Sequence, residues 1–276
     1  MKNVRMFKFG DIVIKSGVKS GYLLTERPNT ETGNVTQNVI NYIDTDGADY
    51  RDVFFAPRDF EIKGAILFWS EAEKLTLKHK LITACNPKNK MDLSYFNGRD
   101  FYYAQAMAAA LPEFGEEMRG VLPFVVSMRI PGFYWLSNKE IANNVFIVTK
   151  LLRSTFTLPT VFSARTNRAV IINDGGVQSY PTFTIVCNED ADVPEIKIEN
   201  KTTGKKIQLI YTAAMGEVIT INHEDCVVTS SVNGNIIKYV AADSDFFAYE
   251  PGLNDIECNL PGASVTSRYR CRYLGV

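Results

Sequence analysis

The side chains that most often carry acid–base or nucleophilic chemistry are scarce in this sequence. It has two histidines, His79 and His223, in 276 residues. A nucleophilic triad needs a base beside a serine or cysteine and a third group that orients the base. No nucleophile-elbow motif accompanies either histidine. We therefore expect both histidines to be structural or solvated, no catalytic residue, and a protein that is not an enzyme.

Three aspartates, Asp44, Asp46 and Asp49, surround Gly47 and are similar to the start of a calcium loop. An EF-hand loop needs a further oxygen ligand before its glycine and a bidentate glutamate several residues later. The next glutamate here is Glu61, so the spacing favours a hairpin turn. The histidines and cysteines also lack the ligand spacing of a zinc site. We expect no metal and no other cofactor.

The end of the chain alternates arginine with small or aromatic side chains. The arginines are Arg268, Arg270 and Arg272, and the residues beside them are Ser267, Tyr269, Cys271 and Tyr273. In a strand this alternation places the guanidinium groups on one face and the rings on the other. One interpretation is a solvated face or a basic edge that blocks unwanted strand pairing. The other is a contact surface for an acidic partner, because guanidinium groups bind carboxylates well.

Length and charge exclude several classes of protein. A chain of 276 residues holds one large domain or two ordinary ones. Its net charge of -1 gives no bulk attraction to nucleic acid or membrane. The five cysteines are odd in number and form no CxxC pair, which favours reduced structural thiols. No signal stretch or membrane-length apolar run is present, so we expect folding in a reducing cytosol and no membrane partner.

Two turn signals in the first half predict β-hairpins. They are Asp44-Thr45-Asp46-Gly47, between strand-like runs at 39–43 and 50–56, and Asn97-Gly98, between runs at 95–96 and 101–107. Residues 104–110 could instead extend a helix. A further apolar strand covers 122–134 and is interrupted at Pro131-Gly132.

One helix is predicted over residues 71–84. Ser70 is its expected N-cap, Glu73 completes a capping box, and Asn86-Pro87 ends it. The apolar side chains recur at helical spacing and predict a buried arc. They are Leu75, Leu77, Leu81, Ile82, Ala84 and Cys85.

A polar stretch from Glu26 to Gln37 separates two of the predicted strands. Its turn residues include Pro28, Asn29 and Asn34. The stretch is a long loop or an extended hairpin arm. Because it is poor in apolar residues, we expect it to leave its own core and contact a neighbouring copy.

The best domain boundary lies near Ser137-Asn138, which divides the chain into 1–138 and 139–276. The second part consists of short alternating runs separated by turn signals at close intervals, which favours an antiparallel β-sandwich. The turn signals are Thr203-Gly204, Gly216-Glu217, Asn233-Gly234, Pro251-Gly252 and Pro261-Gly262.

The order of these segments resembles the distal tail proteins of siphophages and prophages, whose tails are long and non-contractile. The residues that carry the resemblance are 194–200, Thr203-Gly204-Lys205, 216–222, Asn233-Gly234, 251–256 and 269–274. The first half resembles the same family in its order of strands, Asp-Gly hairpin and capped helix. The chain departs from the family at Asn222, where aspartate is common, and at the Asp44 turn, which lacks a first glycine.

The resemblance implies a mostly β fold and a structural role. Residues 1–138 would form a β-domain with one helix that closes into a homo-hexameric ring. Residues 139–276 would form a galectin-like β-sandwich outside the ring. The implied partners are the tail tube protein and a tail-associated or receptor-binding tip protein, with DNA only as cargo through the channel. The chain would be assembled in the bacterial cytoplasm and end in the virion tail tip.

Two other classes of function remain open from the residues alone. A β-sandwich also suits a carbohydrate-binding adhesion module, and exposed aromatics such as Trp135, Tyr180 or Tyr239 would then bind the sugar. A β-sandwich enzyme is the third class, and the poverty in histidine and catalytic motifs argues against it.

Overall fold

The computed structural model describes residues 4–43, 45–150, 163–188, 195–258, 260 and 262–276. For 146–150 and 163–166 it describes the backbone alone. The chain divides into two compact units, the first formed by Met1–Asn138 with Tyr273–Val276 and the second by Lys139–Arg272. The predicted mostly β fold is confirmed, with a single α-helix among the described residues. The last four residues fold with the first unit, whereas the predicted boundary placed them in the second.

The elements of the first unit are short strands and one helix. They are β1 (Met6–Phe9), β2 (Ile12–Lys15), β3 (Gly21–Leu24), β4 (Val35–Asn41), β5 (Ala48–Phe55), β6 (Arg58–Leu67), α1 (Glu71–Ala84), β7 (Met91–Phe96), β8 (Phe101–Ala108), β9 (Glu113–Phe114), β10 (Val121–Ile130) and β11 (Trp135–Ser137). The second unit and the end of the chain contain β12 (Ile141–Lys150), β13 (Ser163–Thr166), β14 (Arg168–Asn173), β15 (Thr182–Cys187), β16 (Ile196–Asn200), β17 (Lys205–Leu209), β18 (Val218–Asn222), β19 (Val227–Ser230), β20 (Gly234–Asn235), a 3-10 turn at Ile237–Tyr239, β21 (Gly252–Cys258), β22 (Ala263–Tyr269) and β23 (Arg272–Tyr273).

The first unit is built on one sheet that closes on itself. Its strand order is β23, β11, β8, β7, β1, β2, β3, β6, β10 and β9, and an additional pairing joins β8 to β10. The strands β6 and β10 are antiparallel over their full length, with Arg58 opposite Ile130 and Leu67 opposite Val121. Closure removes most free edges and encloses an apolar interior.

Alternating side chains fill that interior. Along β10 every second residue is buried, as expected for a strand with one face towards a core. Trp135 is fully buried beside Phe60 and Tyr95, and Phe7 stacks on Tyr95 with ring centroids 4.6 Å apart. These large rings form the centre of the first core.

The Asn97-Gly98 signal produces the predicted hairpin between β7 and β8. The alternative of a helix over 104–110 is wrong, because β8 continues to Ala108 and buries alternate alanines against the core. The apolar strand predicted over 122–134 is also present as β10, and it ends at Ile130 before the Pro131-Gly132 turn.

The helix α1 spans the predicted residues. The Ser70 hydroxyl accepts from the backbone N–H of Glu73 at 3.2 Å. The Glu73 carboxylate accepts from the N–H of Trp69, one residue before the cap, at 2.9 Å. Leu81 is fully buried, and Leu77, Ile82 and Ala84 are partly buried. Leu75, which was expected in the apolar arc, is exposed, because the helix turns only a narrow stripe towards the sheet.

The second unit is an antiparallel sandwich of two sheets. One has the order β13, β12, β22, β15, β18, β19 and β20, and the other has the order β14, β21, β16 and β17. The core of this unit contains Ile185, Ile207 and Phe183 from the sheets, together with Phe247 and Tyr249 from the segment before β21. The turns at Gly204 and Gly234 adopt positive φ, which is the reason glycine is required there.

The helix provides a direct stability test. Replacing Ser70 by alanine removes the N-cap and should lower the free energy of unfolding by about 1 kcal/mol. Leu81→Ala should lower it by about 2–5 kcal/mol, because the side chain is fully buried. Leu75→Ala is the matched control and should change it by less than about 0.5 kcal/mol. Denaturant unfolding measures all three, and a neutral Leu81→Ala would contradict the packing of α1 described above.

Candidate assembly surface

The strands β4 and β5 form a hairpin that projects from the first unit. Within the described part of the chain they pair only with each other, as a separate two-stranded sheet. Almost every residue of the hairpin is exposed. At seven residues β4 extends about 24 Å. We call this element the β4–β5 hairpin. It confirms the hairpin predicted around Gly47, with Asp44 outside the described residues.

The register of the hairpin separates its side chains into two faces. Val35 lies opposite Phe55, Gln37 opposite Val53 and Val39 opposite Tyr50, and a bulge follows Asn38. Because side chains alternate along each strand, these pairs share one face. We call it the apolar face of the hairpin, and it consists of Val35, Val39, Tyr50, Val53 and Phe55 with Gln37 among them. All five of these hydrophobic side chains are exposed.

The opposite face of the hairpin is more polar. It carries Asn38 opposite Asp52 and Ile40 opposite Asp49, with Thr36 opposite Phe54 nearest the root. A two-stranded hairpin is marginally stable in water by itself. A continuous exposed apolar stripe on such an element marks a surface that another molecule covers.

Aromatic stacking fixes the root of the hairpin. The Phe55 ring stacks on Phe133 with centroids 4.5 Å apart and meets Tyr134 edge-on at 5.8 Å. The backbone N–H of Ala56 donates to the carbonyl of Asn34 at 3.0 Å. A Cβ on Gly33 would lie 2.3 Å from the Phe133 ring, so only glycine lets the chain pass at this point.

A buried arginine lies directly beneath that root. Arg58 has no exposed surface, and its Nε donates to the carbonyl of Phe133 at 3.0 Å. Its Nη1 donates to the carbonyl of Thr30 at 2.6 Å, and its Nη2 donates to the carbonyl of Leu274. The guanidinium carbon lies 4.4 Å from the centre of the Phe133 ring. Burial lowers the pKa of Arg58. Arginine nevertheless stays charged in proteins. The groups that stabilise this buried cation are three neutral carbonyls and the face of the Phe133 ring.

Of the two interpretations of Glu26–Gln37, the loop holds for residues 26–34, and the hairpin arm holds only for residues 35–37, which begin β4. Pro28 and Thr30 are buried, and the Thr30 hydroxyl donates to the carbonyl of Val276. The stretch folds back because the Thr30 carbonyl accepts a hydrogen bond from Arg58, a partner that the polar composition of the stretch does not reveal. The projecting element begins only at Val35.

Of the three residues predicted to contact a neighbour, Pro28 and Asn29 line a groove of about 330 Å³ with Asp59, Glu61 and Lys63. Asn29 and Asn34 are exposed, and Asn34 stands at the hairpin root. Their contact with a neighbouring copy stays a prediction. The apolar face of the hairpin was not predicted from the sequence. Its signal is visible there, because Val35 and Val39 fall on one side of β4, and Val53 and Phe55 fall on one side of β5.

The three arginines do not share one strand. Arg268 lies in β22, which is between β12 and β15 in the interior of its sheet, so the interpretation as a basic edge is wrong for Arg268. Arg270 follows the end of β22, and Arg272 begins β23, the first strand in the order of the ten-stranded sheet. Arg268 is exposed, whereas Arg270 and Arg272 are half-buried. The Arg272 guanidinium donates to the carboxylate of Glu224, and its central carbon lies 5.0 Å from the centre of the Tyr180 ring. A role for these arginines towards an outer partner stays a prediction.

His223 is a structural residue of the second core. It is buried, and its Nδ1 accepts from the backbone N–H of Phe247 at 2.8 Å. Its ring packs against Phe183, Phe246 and Phe247. Burial lowers the pKa of His223 to about 3. The neutral ring is required, because a protonated Nδ1 cannot accept that hydrogen bond. His79 is exposed on α1.

The buried carboxylate Glu217 is likewise committed to structure. It accepts from the hydroxyls of Tyr211 and Ser230 and from the backbone N–H of Ala214. Burial raises its pKa, but these three hydrogen bonds outweigh burial and lower the pKa overall. A buried carboxylate held by three hydrogen bonds is poorly placed to move protons.

Other candidate chemistry finds no assembled site in the described residues. No group of three or more histidine, cysteine, aspartate or glutamate side chains there is placed to hold a metal ion. Of the five cysteines, Cys226 is exposed and the others are buried. Within the same described ranges, no helix is both long and apolar enough to cross a bilayer.

Comparison with known proteins identifies relatives of both units. Residues 174–273 match the model of the C-terminal domain of the siphovirus-type tail component, and residues 19–125 match that of the phage tail protein RIFT-related domain. None of the curated proteins matches the chain. The two family matches lie one in each half of the chain, in the order that the sequence resemblance implied.

Two solved structures share the fold over nearly the whole chain. The crystal structure of SPP1 Dit (gp 19.1), described as a paradigm of the hub adsorption apparatus in phages that infect Gram-positive bacteria, superposes with a TM-score of 0.74 at 10% identity. The match covers 98% of this chain and 99% of that one. The phage P2 baseplate in its activated conformation with Ca has a chain with a TM-score of 0.51 at 14% identity, covering 99% of both chains.

The hydrogen bonds of Arg58 predict a large effect of its replacement. Arg58→Met leaves three carbonyls without a donor, so it should lower the free energy of unfolding by about 2–5 kcal/mol. Arg58→Lys should also destabilise, because an ammonium group cannot span three carbonyls in a fixed plane. The matched control is Arg129→Met, which removes an exposed pair with Asp59 and should change stability by less than about 1 kcal/mol. Equal effects at both positions in denaturant unfolding would contradict the assignment.

The burial of His223 predicts a pH dependence of stability. Its pKa is about 3 in the folded chain and about 6.5 when unfolded, so the unfolded state binds the proton first. The contribution of neutral His223 to the free energy of unfolding is complete above about pH 6.5. It is lost as pH falls towards 3, by about 1.4 kcal/mol per pH unit. His223→Gln should remove that slope between about pH 6 and 4. His79→Gln is the exposed control. Unfolding curves with the same slope for the wild type and His223→Gln would show the prediction to be wrong.

Proposed function

We propose that six copies of this chain, which belongs to the siphovirus-type distal tail family, form a ring. The ring joins the tail tube to the tail-tip apparatus. The chain is a structural tail component of the hub type. Its partners in this role are further copies of itself, the tail tube protein on one side, and a tail-associated or receptor-binding protein on the other. The ring leaves a channel through which DNA passes as cargo. Assembly takes place in the host cytoplasm, and the finished ring lies at the virion tail tip.

The observation that carries this proposal is the exposed apolar face of the β4–β5 hairpin. Its five hydrophobic side chains are all exposed, although Phe55 also stacks on Phe133 at the root. A closed ring needs a heterologous interface, in which one surface of each copy meets a different surface of the next. A projecting ribbon with one apolar face supplies one half of such an interface.

The root of the hairpin supports the same role. Phe55, Phe133 and Arg58 hold the ribbon by contacts within the first unit. A ribbon fixed at its root loses less conformational entropy on binding than a free segment would, so more of the energy from its apolar contacts appears as affinity. The near-neutral net charge of -1 is also compatible with a channel that lets DNA pass without holding it.

The ring is tested by changing one face of the hairpin at a time. Val39→Ser with Val53→Ser should raise the dissociation constant of the ring at least about tenfold, because two apolar contacts are lost at every interface. Thr36→Ser with Asn38→Ser changes the opposite face of the same hairpin and should leave the ring intact. Light scattering of the wild type should report the mass of about six chains of 31.0 kDa.

A second measurement covers rings that close only on the tail tube. A particle reconstruction should place this chain as a ring at the end of the tube. A reconstruction that places it elsewhere would refute the proposal. A stable monomer that binds glycans would support the carbohydrate-binding alternative.

A further inference from the structure

The residues that follow the second unit in the sequence return to the first unit. Tyr273–Val276 belong to the first unit, whereas the residues before them, Lys139–Arg272, form the second. The short strand β23 lies beside β11 in the ten-stranded sheet. We call Tyr273–Val276 the strap. The first unit is therefore built from two stretches of chain, and the strap comes after the whole second unit in the sequence.

Two carbonyls of the strap accept hydrogen bonds from the first unit. Nη2 of Arg58 donates to the carbonyl of Leu274, and the Thr30 hydroxyl donates to that of Val276. These partners are 216 and 246 positions apart in the sequence. Arg58 and Thr30 are both buried. Because a buried donor without an acceptor is costly, both side chains need the strap in place.

The strap also packs closely against its neighbours. The Tyr273 ring meets the Tyr102 ring edge-on, with centroids 5.3 Å apart. Gly275 passes so close to Glu31 that a Cβ on it would lie 3.0 Å from both the Cα and the carbonyl oxygen of Glu31. A larger side chain at position 275 would therefore push the strap away from the loop that carries Glu31.

The arginine that binds the strap also holds the root of the β4–β5 hairpin. Arg58 donates to Leu274 and to the Phe133 carbonyl, and the Phe133 ring stacks on Phe55. A two-stranded hairpin is marginally stable by itself, so the direction of this hairpin depends on its root. Displacing the strap removes one of the three acceptors of Arg58. The strap therefore acts on the hairpin through Arg58 and Phe133.

We propose that the strap is a positioning element for the β4–β5 hairpin, which keeps its direction only while the strap is in place. The N-terminal parts of a chain generally fold first during synthesis. The root of the hairpin then stays loose until the residues after the second unit arrive. In the ring, which is the proposed function on which this regulation rests, the arrangement delays self-association until the second unit has been made.

Hydrogen exchange at the hairpin root tests this role in the full chain, diluted below the dissociation constant of the ring. The backbone N–H of Ala56 donates to the carbonyl of Asn34 at 3.0 Å and reports on the root. Gly275→Val places a branched side chain against Glu31 and should speed exchange at Ala56 at least about tenfold, because local opening becomes easier. The Cys85 amide, at the end of α1, is the internal reference and should exchange at the wild-type rate. Mass spectrometry of the labelled peptides measures both amides.

A second variant tests the strap without adding bulk. Thr30→Val removes the hydroxyl that donates to Val276 and keeps the size of the side chain. Exchange at the root amide should rise, by a smaller factor than with the glycine variant. Gly115→Val is the matched glycine control, because a Cβ there meets only the side chain of Pro123, at an ordinary 3.5 Å. It should leave exchange at the root unchanged.

Assembly is the second readout, since none of the changed residues belongs to the hairpin. Light scattering should give Gly275→Val a ring dissociation constant at least about tenfold above that of the wild type, because an element that must first be ordered binds more weakly. Gly115→Val should assemble like the wild type. Where the ring closes only on the tail tube, incorporation into particles replaces light scattering, with the same order of variants expected.

The outcomes separate the inference from the proposed function. Unchanged exchange at Ala56 in Gly275→Val overturns the inference. Equal acceleration at Ala56 and Cys85 also overturns it, because the strap would then add only to overall stability. Faster exchange at the root with unchanged assembly overturns it as well, since the direction of the hairpin would not matter to the ring. If the wild type forms no ring in solution or on the tube, the proposed function fails, and exchange at Ala56 still decides whether the strap positions the hairpin.

Discussion

A guanidinium group that leaves water must recover its hydrogen bonds inside the protein, because an unpaired buried charge is strongly destabilising. Arg58 recovers them from carbonyls of Thr30, Phe133 and Leu274, which lie far apart in the sequence. No one of the three segments satisfies the arginine alone. Burying Arg58 therefore requires the segments that carry Thr30, Phe133 and Leu274 to assemble together. The geometry of the first unit near the hairpin depends on that assembly.

The hairpin takes its direction from this cluster. Phe133 accepts a hydrogen bond from Arg58 through its carbonyl and stacks on Phe55 through its ring. It thus connects the buried cation to the first residue pair of the exposed ribbon. Gly33 and Gly275 let backbone pass where a Cβ would meet the Phe133 ring or the backbone of Glu31. The root is held by the Phe55–Phe133 stacking and the Arg58 hydrogen bonds, while the ribbon beyond it is exposed on both faces.

The sequence predicted well the features whose causes are local. The Ser70 cap, the Asn97-Gly98 turn and the alternation of the strands each depend on residues within a few positions of one another. The path of Glu26–Gln37 could not be predicted in this way, because its main partner, Arg58, is more than twenty positions away and its composition is that of a solvated loop. The exposure of Leu75 and the interior place of β22 were likewise decided by which elements pack beside them.

The two faces of the hairpin differ in a way that bears on assembly. Unpaired strand edges beside an apolar surface attract further strands, and a ribbon that was apolar on both faces would stack without limit. Here Asp49 and Asp52 lie on the face opposite Val39 and Val53. Burying those carboxylates against another copy would be unfavourable without a cationic partner, so the proposed ring would use the face with Val39 and Val53 only. An interface that is available once on each copy favours a closed ring over an open aggregate, provided that the angle between neighbouring copies closes.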